Sequence, residues 1–422
     1  MDITIKEIIA ATRHKFGLDN YYLHSHELYR DVNVFNETIY SLSMEWYPSH
    51  IMEQEEEGLN PAGTAVIQYD LGARQYKSVI FVQGKSYANG PTYQDISLDE
   101  TIKWVEAEAG IVYGEQFQLS KEQEGAFHFN ECVDDIPIAP SGQIEIRFDE
   151  AGKLVHYSVY GHFPPASIIQ EETYSLSLEN VEPLAKKQLQ LIEYPVDEEQ
   201  CLLPLYGIEE IYVTNDETGT LPFEFIVQAR SRLNIDKVIE WELPSTQPFE
   251  RKDMDRREEA TIEQALACEP HPDSFPITEA EQEKCIAAVK EGLRQLYPND
   301  SGQWLLKTLH REKGYIQAVL RENTPTKRVF QRKLLLFIDA NRYEVITYMD
   351  NKPLLSMFDE FQAPEDVAVS KDDAYAKLKE FIELTPVYVY DPGQKNYVLC
   401  GKLDCQYAVN ASSGEVVALG SL

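Results

Sequence analysis

The sequence predicts an α+β protein in which capped amphipathic helices alternate with series of antiparallel strands. Apolar residues recur at helical spacing after Ser or Thr caps, as at Ser97–Glu100 and Thr278–Glu281. Stretches that alternate apolar and polar residues follow each helix, as in Leu154–Tyr160. Each series then closes on two strands joined by an Asp, Asn or Gly turn.

The first helix is predicted from about Ile3 to Phe16, because apolar residues share one face and Gly17 follows. A second helix should begin after Ser97 and end at Gly110. A third should begin near Ser177, with Pro183 in its first turn. The fourth and fifth helices are predicted after the caps Thr278 and Ser370.

Four segments have the pattern of a strand, a turn and a returning strand. They are Ile146–Asp149 before Leu154, Leu233–Asp236 before Val238, Phe337–Ala340 before Val345, and Ala408–Ala411 before Val416. In three of them Asp or Asn begins the turn, where its short side chain can bond the backbone two residues on. We therefore predict a repeated unit.

These closures resemble the end of the PepSY domain, a strand followed by Asp-Ala-x-x-Gly-x-Val and another strand. Asp339-Ala340 with Val345, and Asn410-Ala411 with Gly414 and Val416, match it best. The whole arrangement is similar to the bacterial YcdB/YcdC repeat family, in which PepSY-like units are strung together. Asn410 replaces the usual Asp, and the 341–344 turn lacks Gly.

The resemblance implies five tandem PepSY-like units, each an amphipathic helix packed on an antiparallel sheet. We place the units at 1–90, 91–168, 169–245, 273–352 and 353–422, with a charged linker at 246–272. The family carries no established catalytic residues, so the resemblance assigns none here. PepSY units elsewhere resemble inhibitory or regulatory modules, often beside secreted peptidases or in envelope proteins.

The charge of the chain restricts its partners. The 422 residues include 38 Lys+Arg and 71 Asp+Glu, which gives a formal net charge of −33. Such an excess of carboxylates repels nucleic acids and disfavours docking on anionic membranes. The longest apolar runs, such as Leu334–Ile338, are too short to span a bilayer. With 43% hydrophobic residues, the chain still has enough apolar material for a core.

The N-terminal sequence indicates a cytoplasmic address, and the cysteines indicate free thiols. Met1 leads straight into the first amphipathic helix, and the basic, apolar and small-residue regions of a secretory signal are missing. A cell-surface address remains the alternative if a signal was removed. The six cysteines lack C-x-x-C spacing, so we expect buried free thiols rather than zinc or redox sites. Cys400 and Cys405 are close enough to be neighbours on one hairpin.

The sequence contains none of the common catalytic or phosphate-binding motifs, and we predict no catalytic residue, cofactor or metal. Two histidine pairs are the best exceptions. His24 and His26 would share a strand face and reach one metal ion. His156 and His162 would share a face with Ser158 and Tyr160, as a base, a pH sensor or simply a polar surface.

Three hypotheses for the function follow. The first is a non-catalytic binding or regulatory protein that offers helix-free sheet faces to a protein partner, either basic or a peptidase. The strand-associated tyrosines, such as Tyr22, Tyr160 and Tyr388, suit such recognition but also suit half-buried strands. The second is an enzyme of unknown type, a hydrolase by default, that uses His24/His26 or His156/His162. The third is a structural or immunity-type protein that neutralises a cationic target.

Overall fold

The computed structural model describes residues 5–33, 35–51, 59–90, 97–161, 163–222, 232–254, 259–391 and 393–422. Helices and several antiparallel sheets alternate in these ranges, so the chain is α+β as predicted. The helices are α1 (Ile5–Lys15), α2 (Leu98–Ala109), α3 (Leu178–Gln188), α4 (Ile262–Leu266), α5 (Glu279–Leu296), α6 (Lys352–Leu355) and α7 (Lys371–Leu378). The strands are β1 (Tyr21–Val32), β2 (Thr38–Pro48), β3 (Ala65–Asp70), β4 (Gln75–Phe81), β5 (Phe117–Gln123), β6 (Ala126–Val133), β7 (Ile136–Ala139), β8 (Gln143–Phe148), β9 (Leu154–Tyr160), β10 (Leu189–Val196), β11 (Cys201–Ile208), β12 (Ile211–Thr214), β13 (Thr220–Pro222), β14 (Leu233–Ile239), β15 (Trp304–Glu312), β16 (Tyr315–Glu322), β17 (Lys333–Asp339), β18 (Val345–Asp350), β19 (Ile382–Asp391), β20 (Asn396–Cys405), β21 (Tyr407–Asn410) and β22 (Val416–Ala418).

The predicted caps fix where the helices begin. The Ser97 hydroxyl accepts a hydrogen bond from the Glu100 amide, and Gly110 ends α2 in the left-handed conformation. Thr278 and Glu281 form a complete capping box at the start of α5. Pro183 corrects one expectation, because it lies inside α3, five residues after the helix begins at Leu178. The Ser177 cap, not the proline, sets that boundary.

The first part of the chain builds a strongly paired antiparallel sheet. Its strands lie in the order β1-β2-β3-β4-β9-β8-β6, and β5 pairs with β6 outside this order. Helices α1 and α2 pack on one face of the sheet. Their core contains the fully buried side chains of Met44, Ile67, Val105, Phe127 and Tyr157. Burial of large apolar side chains of this kind is the main source of stability for such a layer.

The sheet continues through strands from distant parts of the chain. Strand β7 pairs in parallel with β19 through Ile138 and Tyr388, and β20, β12 and β13 follow, giving 13 strands among the described residues. Strands β10 and β11 also pair with β21 and β22 in a four-stranded sheet. Helices α3 and α7 share one core beside these strands. The segments assigned to the third and fifth units are therefore interleaved, and the unit boundaries stay a prediction.

Strands β14 to β18 form a separate antiparallel sheet with its own helix, α5. Strands β14 to β18 pair in chain order, and α5 covers one face. The core between them includes Val289, Leu293, Trp304 and Leu336, all without solvent exposure. One predicted closure is wrong here. Residues 233–236 and Val238 lie within the single strand β14, whose bulge between Asn234 and Lys237 produced the turn-like pattern.

The other three closures have the predicted hydrogen bonds. The side-chain oxygen Oδ1 of Asp149 accepts from the Ala151 amide at 3.0 Å. Asp339 and Asn410 accept in the same way from the amides two residues on, each at 2.9 Å. Asp70 repeats the arrangement in the β3–β4 turn, at 2.8 Å from the Gly72 amide. These short-range bonds explain why the turns could be predicted from local sequence.

The charged linker contacts both the N-terminal sheet and the five-stranded sheet. The Ala260 amide bonds the carbonyl of Leu28 in β1, and the Lys252 amide bonds the carbonyl of Ile346 in β18. The His271 amide donates to the hydroxyl of Thr38 at 2.8 Å.

The strand expected at residues 223–229 lies outside the described residues. None of the helices in the described ranges combines the length and apolarity needed to cross a bilayer.

Candidate functional site

The helix-free face of the N-terminal sheet is a largely polar surface that the strand register assembles. We call it the outer face. Its residues alternate with core residues along β1, β2, β3, β4, β9, β8 and β6 and meet one another across the pairings. They are Ser25, Glu27, Ser41, Ser43, Glu45, Val66, Gln68, Ser78, Ile80, His156, Ser158, Tyr160, Gln143, Glu145, Arg147, His128 and Asn130.

An apolar pair lies at the centre of the outer face. Val66 in β3 pairs directly with Ile80 in β4, and both side chains are half-buried. Glu45 lies opposite Val66 on β2, and His156 lies opposite Ile80 on β9. An apolar centre with a polar border is the usual composition of a protein–protein contact surface. The described residues place no helix over this pair.

The β1–β2 end of the outer face is acidic. The Ser25 hydroxyl donates to the Glu45 carboxylate at 2.9 Å, and the Asn60 side-chain amide donates to the same carboxylate at 3.3 Å. The Tyr29 hydroxyl donates to Glu27. Glu27 is exposed and Glu45 is half-buried, so this end presents two carboxylates to solvent.

The opposite end carries a cluster centred on His156. The Arg147 guanidinium contacts His156 Nδ1 at 3.2 Å and the Glu145 carboxylate at 3.0 Å. On the other side of the ring, Nε2 lies 3.2 Å from the Ser158 hydroxyl and 3.6 Å from Glu145. Because guanidinium has only donors, the hydrogen-bond network assigns Nδ1 as the acceptor and Nε2 as the protonated nitrogen.

This arrangement does not activate Ser158. A general base would need an unprotonated nitrogen facing the hydroxyl, whereas Nε2–H points at Ser158 and Glu145 shares the same nitrogen. Burial lowers the pKa of His156 below 6.5, and the charges of Arg147 and His128 lower it further, against the opposing charge of Glu145. His156 is therefore neutral at pH 7.

The structure describes three of the four histidines in the two predicted pairs, His24, His26 and His156. The alternation of His156, Ser158 and Tyr160 with the buried Val155 and Tyr157 is confirmed. His162 lies outside the described residues, so its pairing with His156 stays a prediction.

The shared face predicted for His24 and His26 is wrong. A bulge between Leu23 and Ser25 lets the His24 ring stack on Tyr47, with the centroids 4.0 Å apart. Tyr47 belongs to the outer side, whereas His26 pairs with the core residue Met44 on the helix-bearing side. In the described ranges, no group of three or more His, Cys, Asp or Glu side chains converges to hold a metal ion.

The cysteines and tyrosines noted in the sequence differ in how deeply they are buried. Four thiols are buried, but Cys201 is half-buried and Cys268 is exposed, which corrects the expectation that all would be buried. Cys400 and Cys405 both lie on β20 rather than across a hairpin. Of the three tyrosines named above, Tyr388 is buried, whereas Tyr22 and Tyr160 are exposed, at 46% and 79%.

The completely buried Glu131 has a structural arrangement that the sequence did not reveal. Its carboxylate accepts hydrogen bonds from the Gly142 amide at 2.8 Å and from the Phe163 amide. These bonds tie the β7–β8 connection and the segment after β9 to the edge of β6. A buried carboxyl group with such backbone donors is held in place and is not presented to a ligand.

Comparisons with known proteins add one distant similarity. No protein-family model and no curated protein matches the chain. Among solved structures, the Bacillus megaterium YpeB C-terminal domain is similar with 8% sequence identity and a TM-score of 0.24. That match covers 83% of this chain and 98% of the other. A similarity of this size supports no conclusion about the fold or function of the chain, and membership of the YcdB/YcdC repeat family stays a prediction.

Proposed function

We propose that this is a non-catalytic protein-binding module that uses the outer face to dock a protein partner. The observation that carries the proposal is the Val66–Ile80 pair, half-buried apolar side chains held at the centre of a polar sheet face. A rigid sheet positions these side chains without the ordering cost that a flexible loop would pay on binding. Tyr160, with its 79% exposed ring at the border, supplies an amphipathic anchor.

The partner is basic at the surface that meets β1 and β2. Glu27 and Glu45 present carboxylates there, and the chain as a whole carries a formal charge of −33. This field accelerates the encounter with a cationic partner and slows it as salt increases. A peptidase-modulating role is one use of such docking that the PepSY-like pattern of the sequence favours.

Catalysis is not part of the proposal. The His156 cluster directs a protonated nitrogen at Ser158, and the bulge separates His24 from His26.

Tandem PepSY-like units would add further faces and raise avidity for a repetitive partner.

Site-specific photo-crosslinking in cells tests this function. A photoreactive phenylalanine analogue replaces Gln68 on the outer face or, as the matched control, the exposed Glu179 on α3. We expect one discrete adduct from position 68, weaker at high salt, and none from position 179. Equal adduct patterns at both positions, or no adduct at position 68, would contradict the proposal.

A further inference from the structure

A cavity of about 310 Å³ lies on the helix-bearing side of the N-terminal sheet, opposite the outer face. It is bordered by the C-terminal end of α2, by strands β4 and β9, and by Phe163 and Pro165. Its lining residues are Ala73, Gln75, Tyr76, Lys77, Ala109, Gly110, Ile111, Gln116, Tyr157, Val159, Phe163 and Pro165. The volume is that of a small-molecule site.

The Tyr157 hydroxyl is an unused donor beside this cavity. The side chain is completely buried, and its hydroxyl has no hydrogen-bond partner among the described residues. Burial raises the pKa of Tyr157, and the nearby Glu108 carboxylate raises it further, so the hydroxyl keeps its proton. A buried donor without a partner is uncommon in proteins and indicates a group that a ligand or water would satisfy.

Lys77 is a second unused donor in the lining. The register of β3 and β4 shifts so that Gln68 pairs with Ser78 and Tyr69 with Tyr76, which leaves Lys77 as the bulged residue. Bulges redirect a side chain out of the regular alternation and are common beside binding sites. Within the described part of the chain, the Lys77 ammonium forms neither an ion pair nor a hydrogen bond, whereas Lys15 nearby is paired with Glu108 at 2.6 Å.

The remaining polar groups of the lining are largely committed. The Gln75 amide donates to the Ala109 carbonyl at 3.0 Å, which occupies an acceptor at the α2 terminus. The Tyr76 hydroxyl bonds Thr12 at 3.1 Å. Gln116 accepts from the Val112 amide through its oxygen, which leaves its side-chain NH₂ group as a third donor. Among the described residues, the lining contains no Asp or Glu, although the chain has 71 of them.

We propose that this cavity binds a small carboxylate with an apolar body. Lys77, Gln116 and Tyr157 hold donors for the carboxylate, and Ile111, Val159 and Phe163 pack against the body. An amine would meet the Lys77 ammonium, and the nearby Glu108 carboxylate is already paired with Lys15, so the site favours an anion over a cation. The cavity and the outer face lie on opposite sides of the sheet. A test of carboxylate binding is therefore independent of a test of protein docking.

Titration calorimetry with sodium benzoate tests the site, with benzamide as the neutral analogue of the same shape. We expect saturable binding of benzoate and at least tenfold weaker binding of benzamide. Lys77→Met should weaken benzoate binding about tenfold, and Tyr157→Phe several-fold, because each removes a donor to a charged group. The control Lys121→Met changes an exposed lysine of β5 outside the cavity and should leave binding unchanged.

Three outcomes would overturn the proposal. They are no saturable benzoate binding, equal binding of benzamide, or benzoate binding that survives Lys77→Met. A cavity that holds only water gives the first outcome. Far-ultraviolet circular dichroism of each variant confirms that a lost signal reflects the site rather than unfolding, and Tyr157→Phe should fold normally because it deletes a hydroxyl without a partner.

Discussion

Two polar clusters on different sheets centre on nitrogen-containing side chains of nearly equal exposure, Arg332 at 12% and His156 at 13%, but they differ in the exposure of a charged group beside each. In the five-stranded sheet, Arg332 pairs with Glu322 at 3.2 Å and with Asp350 at 3.1 Å. Its guanidinium also lies 4.7 Å from the centre of the Trp304 ring. In the outer face, His156 meets Arg147, Glu145 and Ser158 at the surface of an open sheet.

The difference separates a structural cluster from an accessible one. The side chains of Arg332 and Asp350 are 12% and 9% exposed, and Tyr297 also donates to Asp350, so the Arg332–Asp350 contact is closed to a partner and only Glu322 reaches solvent from this cluster. Arg147 in the outer face is 51% exposed and remains available for contacts with another molecule. The first cluster should therefore govern stability and the second should govern recognition.

The largest effect is expected from Arg332→Met. The substitution leaves the Asp350 carboxylate buried without its cation, and the free energy of unfolding should fall by about 3 kcal/mol. Urea unfolding at pH 7, followed by tryptophan fluorescence, measures it. The control Arg328→Met breaks the exposed pair with Asp359 and should cost less than about 1 kcal/mol. Equal losses of unfolding free energy in the two variants would show that the buried pair contributes no more to stability than the exposed pair.

A smaller effect is expected at Glu281, which joins the α5 cap to Arg311. Burial opposes ionisation of this carboxyl, but hydrogen bonds from Thr278 and Arg311 outweigh it and lower the pKa from 4.5 to about 2. Because the pKa is lowered on folding, the stabilisation is complete above pH 4.5 and is lost as the pH falls towards 2.

Glu281→Gln should therefore cost about 2 kcal/mol at pH 7 and progressively less below pH 4.5. Unfolding curves at pH 7 and pH 3 measure the change. The neighbouring Glu279, exposed in the same helical turn, is the control, and Glu279→Gln should change stability little at either pH. A penalty for Glu281→Gln that does not vary with pH would show that its charge is not involved.

The smallest effect is expected at His156. Its pKa is lowered on folding, so the folded state loses stability as the pH falls below 6.5 and the ring is protonated. The wild-type protein should lose less than about 1 kcal/mol between pH 7.5 and 5 through this group, and His156→Gln should abolish that part of the loss. Identical pH profiles for the two proteins would mean that His156 titrates as it does in the unfolded chain.

Local sequence determined the features that could be predicted. The caps at Ser97 and Thr278 and the turns at Asp149 and Asn410 depend on hydrogen bonds within four residues. The alternation of His156 and Ser158 with core residues follows from the two-residue period of a strand. These local signals were sufficient to predict the α+β class.

Long-range pairing determined the features that could not be predicted. The parallel contact between Ile138 and Tyr388 joins segments 250 residues apart and leaves no local pattern. The bulge that separates His24 from His26 appears only when β2 lies beside β1. Val66 and Ile80 look like ordinary strand residues until the register places them on the helix-free side.

The measurement that tests the central claim most directly is the effect of Ile80→Asp on crosslinking from position 68. Ile80 is half-buried on the outer face, so a carboxylate there disrupts the apolar centre without entering the core. We predict that the adduct is lost while the circular dichroism spectrum and the thermal midpoint stay close to those of the wild type. An undiminished adduct in a folded Ile80→Asp protein would contradict the assignment of this face as the docking surface.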